Sequence, residues 1–350
     1  MKQDKVVRAL DVGYGNTKYV AFHSHGQEIQ CALFPSVAPQ ASSGPDLSVG
    51  VLQRRNTVVI DVAGVKYEVG KDAKLAQSAN FGRVLTEDYS LTDTYLALAR
   101  GALFYMGLSK IDFLVVGLPV NTVEQFGAKV RARMIGEHIL PGAEGEGEST
   151  TVVVDDVRVV PQPIGAFFDH SVRNNMYSRM KTQTNLLIDP GYYTLDWVVA
   201  HGIKPAGSRS GAHPGGMSAV LAAMGDAISK DLGVQLTDLS GIDEAIRLGT
   251  KPRFFGKEMD FAEYYKVGQA AAQQGISMLA NKVGGGGVDI DNILLAGGGA
   301  EFYKPLIQEK FPRHEISIAK DPVFANVRGF QLAGQQWANQ VSFDLMRGNG

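Results

Sequence analysis

The chain has 350 residues, 45% of them hydrophobic and 20% charged, enough to bury more than one core and ordinary for a soluble globular protein. A formal net charge of -2 offers no global attraction to nucleic acid or anionic lipid, and one cysteine, Cys31, excludes an internal disulfide and a thiolate metal cluster. The N-terminal residues do not form a signal peptide and no stretch approaches the roughly 20 apolar residues of a membrane helix, so the expected location is cytoplasmic.

Val6–Asp11 reads as a buried strand running into a glycine turn, with Lys18–His23 as its hairpin partner. Residues 35–46 are rich in Pro, Ser, Ala and Gly, and Val58–Val62 with Val65–Val69 predict a hairpin around Ala63-Gly64. Residues 36–85 therefore read as a small insertion. Asp93–Leu108 has helical spacing, Phe113–Gly117 is a buried strand, and Val123–Ile139 is again helical. Alternating Gly and Glu over 142–149 predict an exposed turn before strands at Thr151–Val154 and Asp156–Val160, then a helix from Ile164. Leu186–Asp189 and Thr194–Ala200 form a second glycine hairpin. A glycine-containing loop, Ser208–Gly216, opens a helix at Met217–Leu232, and Glu263–Val283 is a long helix ended by glycines. Strand Ile293–Ala296 leads into Gly297-Gly298-Gly299 and a helix; a last strand, Ile316–Ala319, precedes a closing helix, Asn326–Trp337. Strands followed by helices, twice over, predict two α/β halves.

The informative feature is internal. Asp11-Val12-Gly13-Tyr14-Gly15-Asn16-Thr17-Lys18 and Asp189-Pro190-Gly191-Tyr192-Tyr193-Thr194-Leu195-Asp196 both leave an apolar strand through Asp, any residue and Gly-Tyr, and reach Thr before another strand. The second reads as one residue shorter between Asp and Thr. Such a repeat predicts duplicated domains with two facing loops. Glycine turns present backbone N–H groups in a concave nest that suits phosphate oxygens, and Thr17 and Lys18 add a hydroxyl and a positive charge. A strand-end Asp repels phosphate but holds a hydrated Mg²⁺, so Asp11 and Asp189 read as metal residues acting through water. Two such aspartates orient a metal and an attacking water, which supplies most of what phosphoryl transfer needs. The alternative for either loop alone is an ordinary β-hairpin whose Asp and Gly serve the turn.

Gly297, Gly298, Gly299 and Ala300 let a flat ring or a phosphate approach the backbone at a helix start. Neither a Rossmann fingerprint nor a G-x-x-x-x-G-K-[ST] loop is present. His23, His25 and His213 lack metal-ligand spacing, and Trp197 and Trp337 read as core residues.

The order hairpin, hairpin, glycine turn resembles the actin-like ATPase superfamily. Asp11–Lys18 looks like its first phosphate loop, Asp189–Asp196 like its second, and Ile293–Ala300 like its adenosine motif. Val160-Pro161-Gln162-Pro163-Ile164-Gly165-Ala166 and Ala325-Asn326-Val327-Arg328-Gly329 are similar to its two connecting helices. The closest resemblance is to the plasmid-segregation actins of the ParM/StbA type. It implies that Gln162 orients the hydrolytic water, where ParM carries a Glu, and that Asp189 and Asp11 handle metal and water. It places Gly13, Tyr14, Gly15, Asn16, Thr17, Lys18, Gly191, Tyr192, Tyr193 and Thr194 around the phosphates. The Ser210–Gly216 loop, with Gly215 and Gly216, passes near the nucleotide, and Glu244 in Asp243–Arg247 corresponds to the ribose side. Tyr192 and Tyr193 depart from the small residues usual in the second loop.

The resemblance implies an α/β actin-like fold of two ribonuclease-H-like domains around a nucleotide cleft, each with a small subdomain. Domain I is expected at 1–182 plus 325–350, with its subdomain at about 36–85; domain II is expected at 183–324, with its subdomain at about 225–262. The implied cofactors are ATP (or GTP) and Mg²⁺, and the implied activity is ATP hydrolysis driving a filament of the protein itself. Plasmid DNA would be moved through a DNA-binding adaptor protein, with no direct nucleic-acid contact and no membrane. The rivals are a small-molecule kinase of the same fold and a non-polymerising ATP-binding scaffold.

Overall fold

The computed structural model describes residues 5–24, 26–41, 53–77, 83–142 and 148–347, with side chains to Asn339. His25, the Gly/Glu turn at 143–147 and parts of the expected insertion lie outside the described residues. In chain order the elements begin with β1 (Val7–Val12), β2 (Asn16–Phe22), β3 (Gln30–Pro35), β4 (Thr57–Val62), β5 (Val65–Gly70) and α1 (Asp93–Met106). There follow β6 (Lys110–Ile111), β7 (Phe113–Leu118), α2 (Val123–Met134), β8 (Gly136–Leu140), β9 (Thr150–Val154), β10 (Val157–Pro161), α3 (Gln162–Arg173) and α4 (Tyr177–Met180). Next come β11 (Thr184–Pro190), β12 (Leu195–His201), β13 (Lys204–Pro205), β14 (Gly211–His213), α5 (Met217–Leu232), α6 (Ser240–Leu248), β15 (Arg253–Phe254) and β16 (Lys257–Glu258). The chain closes with α7 (Ala262–Val283), β17 (Asn292–Leu295), α8 (Ala300–Lys310), β18 (Ile316–Ile318) and α9 (Ala325–Arg347).

Contacts divide the chain into two units, Met1–Asp169 with Asn326–Gly350, and His170–Ala325. The division falls within α3 and directly after the first residue of α9.

In the first unit the main sheet has the order β10-β7-β1-β2-β3. β1 pairs antiparallel with β2 and parallel with β7, and β10 extends the parallel side. Every residue of β1 and β7 is buried, the pattern of central strands covered on both faces. β4 and β5 form the hairpin expected at Ala63-Gly64, where both turn residues have positive φ. The helix read over Val123–Ile139 stops at Met134 instead. Gly136 turns the chain at φ 102, and Gly136–Leu140 pairs antiparallel with β9. An apolar run this short fits either period, and pairing with β9 decides it.

α3 and α9 cross in the first unit at backbone contact. A Cβ on Gly329 would collide with the Gly165 carbonyl oxygen, and one on Gly165 would stand 2.7 Å from Asn326 Cα. Beside this crossing Arg328 Nε and Nη2 donate to the two oxygens of Asp169 at 2.9 and 2.7 Å, with both side chains buried. Trp337, on α9, carries the Arg158 guanidinium 4.4 Å from its ring centre and is only part-buried.

The second unit repeats the plan in the order β13-β12-β11-β17-β18, with β14 also on β12. Here β11 pairs antiparallel with β12 and parallel with β17, and β18 follows in parallel. Both sheets are thus an antiparallel hairpin whose first strand is flanked by two successive parallel strands. Trp197, fully buried as expected, joins Leu186, Met224, Ile276, Tyr303 and Phe311 in the core. Its indole Nε1 donates to the Arg209 carbonyl at 3.0 Å. Cys31 lies half-buried on β3. Among the described residues no helix is long and apolar enough to cross a membrane, and no group of three or more His, Cys, Asp or Glu is poised to hold a metal.

Candidate functional site

The first hairpin turns through Gly13, whose N–H donates to the Asn16 carbonyl at 3.2 Å, and sets Asp11 opposite Lys18 in cross-strand register. Asp11 is completely buried. Its Oδ2 accepts from Lys18 Nζ at 2.8 Å and its Oδ1 from Gln162 Nε2 at 2.6 Å. Three residues singled out from sequence therefore form one hydrogen-bonded chain, Lys18–Asp11–Gln162. Gln162 reaches Asp11 because it follows β10, two strands from β1, as the first residue of α3. With its amide nitrogen committed to Asp11, its free polar function is the carbonyl oxygen, an acceptor suited to orient a water. Lys18, read as a phosphate ligand, is engaged with Asp11 and compensates the buried carboxylate.

Other side chains of this loop support it from behind. Thr17 and Ser36 share a buried hydroxyl–hydroxyl hydrogen bond at 3.0 Å. The Tyr14 ring stacks on Tyr89 at 4.8 Å, and its hydroxyl donates to the Thr86 carbonyl at 2.9 Å. What Gly13, Tyr14, Gly15 and Asn16 offer outward is thus chiefly backbone. Arg83, missed in sequence, donates from Nη2 to the Gly15 carbonyl at 3.2 Å, and the Ser36 N–H donates to the same oxygen at 3.0 Å. Nothing in the local sequence pattern distinguishes Arg83 from any loop arginine.

In the second hairpin the Gly191 N–H donates to the Thr194 carbonyl at 2.8 Å, and Asp189 stands opposite Asp196. Gly191 thus corresponds to Gly13 and Thr194 to Asn16, while Leu195 takes the place of Thr17. The two turns have equal length. The apparent one-residue difference came from matching Thr194 to Thr17 in the sequence. Where the first hairpin pairs an acid with a base, the second pairs two buried carboxylates, Asp189 at 6% exposure and Asp196 at 1%.

Two further segments converge on this turn. The start of α5 caps it: the N–H groups of Gly216, Met217 and Ser218 donate to the carbonyls of Tyr193, Gly191 and Tyr192 at 3.0, 3.0 and 2.6 Å. Gly216 is close-packed, for a Cβ there would lie 2.6 Å from the Gly191 carbonyl oxygen. Gly215 receives the Tyr303 hydroxyl on its carbonyl at 2.6 Å, and burial raises the Tyr303 pKa, keeping it a neutral donor. His213 packs its ring beside Gly215 and Gly275.

The glycine run serves the same turn. Gly297 has φ 78, a Cβ on it would collide with the Asp189 carboxylate, and the Gly299 N–H donates to the Pro190 carbonyl at 3.0 Å. Gly297 and Gly299 therefore exist for contact with the hairpin, and Ala300 is buried in the core. Gly298 alone is exposed, with open space where a side chain would be. Tyr192 packs against the core, which keeps its bulk out of the turn, and Tyr193 is half-buried. Glu244 is exposed on α6, and among the described residues no hydrogen bond or ion pair joins it to this cluster.

Residues 9–165 match the family of actin-like proteins, N-terminal domain, and residues 187–309 match the archaeal actin homologue, MreB-like, C-terminal family. None of the curated proteins compared with the sequence matches it. Among solved structures, the archaeal actin homologue Ta0583 superposes with a TM-score of 0.74 at 21% identity, over 95% of this chain and 99% of that one. The same homologue has been solved in complex with ADP, with a TM-score of 0.73 at 22% identity over the same shares. The subunit of a 15-stranded ParM filament from Clostridium botulinum superposes with a TM-score of 0.75 at 19% identity, over 95% of this chain and all of that one. With a duplicated hairpin-plus-parallel-strand sheet in each unit and actin-like matches to both, the chain belongs to the actin-like superfamily.

Proposed function

We propose that this protein is an ATP-hydrolysing, nucleotide-dependent filament former that moves plasmid DNA through an adaptor protein. The observation that carries the catalytic part is the buried Lys18–Asp11–Gln162 chain, matched in the second unit by the carboxylate pair Asp189 and Asp196. The residues fit Mg²⁺ and a nucleoside triphosphate. Two buried carboxylates in cross-strand register suit a hydrated divalent cation, and both glycine turns offer backbone to phosphate oxygens. Gly298, open and exposed, suits close approach of the base or sugar. When bound, Mg²⁺ neutralises charge on the phosphates.

The protein's own groups do the rest. Asp11 holds the Gln162 amide by its nitrogen, which directs the carbonyl oxygen outward as acceptor for the attacking water. Lys18 compensates the buried Asp11 carboxylate, and the turn N–H groups of the first hairpin steady the phosphate end. Filament formation is supported by similarity to a ParM filament subunit, nucleotide binding by similarity to an archaeal actin homologue solved with ADP, and plasmid cargo by the resemblance to plasmid-segregation actins alone.

Light scattering and phosphate release, followed together with Mg·ATP, Mg·GTP, Mg·ADP and no nucleotide, test this reading. Scattering should rise with Mg·ATP (or Mg·GTP) and not with Mg·ADP or without nucleotide, phosphate release should follow it, and the signal should then decay. Release without any rise in scattering, across varied salt and concentration, would remove the filament part, and a substrate-dependent burst of ADP with no polymer would favour a kinase. Absence of release would remove hydrolysis and favour a scaffold.

A further inference from the structure

Beside Gln162, inside the first unit, lies a small, partly open pocket with room for about one water molecule, lined by Glu87, Tyr89, Ser90, Tyr95, Thr122 and Gln162 among others. Three of these residues, Tyr89, Ser90 and Tyr95, have hydroxyls that are buried without a hydrogen-bond partner. The residues are 4%, 5% and 2% exposed. Ser36 approaches the Tyr89 hydroxyl closely enough to moderate its acidity, yet outside hydrogen-bonding geometry, and its own hydroxyl is engaged with Thr17. Three orphaned hydroxyls around one small cavity are unusual, because each costs the desolvation of a polar group with nothing returned.

Of the other polar groups in the lining, Glu87 is exposed and accepts from Asn121 Nδ2 at 3.1 Å. The Thr122 hydroxyl donates to the Pro119 carbonyl at 3.0 Å, and the Tyr14 hydroxyl to Thr86. Burial, before any neighbouring charge, pushes the phenol pKa values of Tyr89 and Tyr95 upward, so both remain neutral groups able to donate and accept. A water needs two to four polar partners to stay in such a place, and three hydroxyls with the Gln162 amide meet that number.

We propose that this pocket holds one ordered water, bound by the hydroxyls of Tyr89, Ser90 and Tyr95, which accepts the second N–H of Gln162 and so fixes its amide on Asp11. Tyr95 and Ser90 are then positioning residues for Gln162. The water site itself is independent of the hydrolytic reading above; only its consequence for turnover rests on that reading.

The test separates the two. Without nucleotide, Tyr95→Phe and Ser90→Ala each remove one hydroxyl and little volume. A hydrated pocket loses a hydrogen bond, so Tm should fall by roughly 2–4 °C for each variant. A dry pocket loses only an unsatisfied group, so an unchanged or raised Tm in both variants would overturn the water. A crystal structure of the wild-type protein at a resolution that shows waters should contain one between these hydroxyls, and an empty pocket there would also overturn it. For positioning, Tyr95→Phe should lower kcat by about tenfold with KM for ATP unchanged. An unaltered kcat in a variant whose Tm has fallen would leave the water in place and remove its role at Gln162. Absence of turnover in the wild-type protein would overturn the hydrolytic reading and the kcat effect together, while Tm and the density still decide the water.

Discussion

Asp169→Ala should destabilise the first unit by about 3–5 kcal/mol, the largest single loss expected from a change outside the nucleotide loops. Asp169 and Arg328 form a two-pronged ion pair with both side chains buried, Nε to Oδ1 at 2.9 Å and Nη2 to Oδ2 at 2.7 Å. Removing the carboxylate leaves a guanidinium in an interior that cannot solvate it. The pair also pins α3 to α9 beside the Gly165/Gly329 crossing, where a Cβ on either glycine would meet the backbone of the other helix. Chemical unfolding of the wild type and the variant, monitored by circular dichroism, measures the effect. For comparison, Glu263→Ala breaks an exposed Lys266–Glu263 pair and should change stability by less than about 0.5 kcal/mol. A loss below about 1 kcal/mol for Asp169→Ala would show that Arg328 finds another partner or reaches water.

Gln162→Ala should lower turnover on the order of 10²-fold or more while leaving nucleotide affinity nearly unchanged. With its nitrogen on Asp11, the Gln162 amide keeps its carbonyl oxygen as an acceptor. Its loss removes the water-orienting acceptor without touching the glycine turns that offer backbone to phosphate. The variant also strips one donor from the buried Asp11 carboxylate, so a stability loss of about 1–3 kcal/mol should accompany the kinetic effect. Single-turnover phosphate release with a parallel nucleotide titration separates the two. Turnover within about threefold of wild type would move the water-orienting role to another residue.

Much of this arrangement was legible in the sequence. Two Asp-x-Gly-Tyr turns at strand ends marked the duplicated hairpins, and the duplication is a property of the sheets, each a hairpin followed by two parallel strands. The Gln162 position followed from resemblance, and the structure supplies its contact with Asp11. What the sequence concealed is register and direction. Thr17 and Thr194 look equivalent in the string, yet the turn-closing bonds from Gly13 and Gly191 align Thr194 with Asn16. Lys18 reads as a phosphate ligand because spacing shows charge and not partner; burial of Asp11 determines that partner.

The glycine run was similarly ambiguous. Glycine permits close approach, but sequence does not say of what, and at Gly297 and Gly299 the answer is the second hairpin itself. Arg83 and the hydroxyls beside Gln162 were invisible because they reach the site from a separate part of the chain. The end of α2 was misplaced for a local reason, since a short apolar run carries no period of its own until β9 pairs with it.

The central claim is the proposal that the two glycine turns bind nucleotide phosphate. A crystal structure with Mg²⁺ and a non-hydrolysable ATP analogue tests it most directly. The account predicts phosphate oxygens against the turn from Gly13 to Asn16 and against the turn from Gly191 to Thr194, with the metal on the Asp189 side. Nucleotide bound away from either turn, or none bound at saturating concentration, would contradict it.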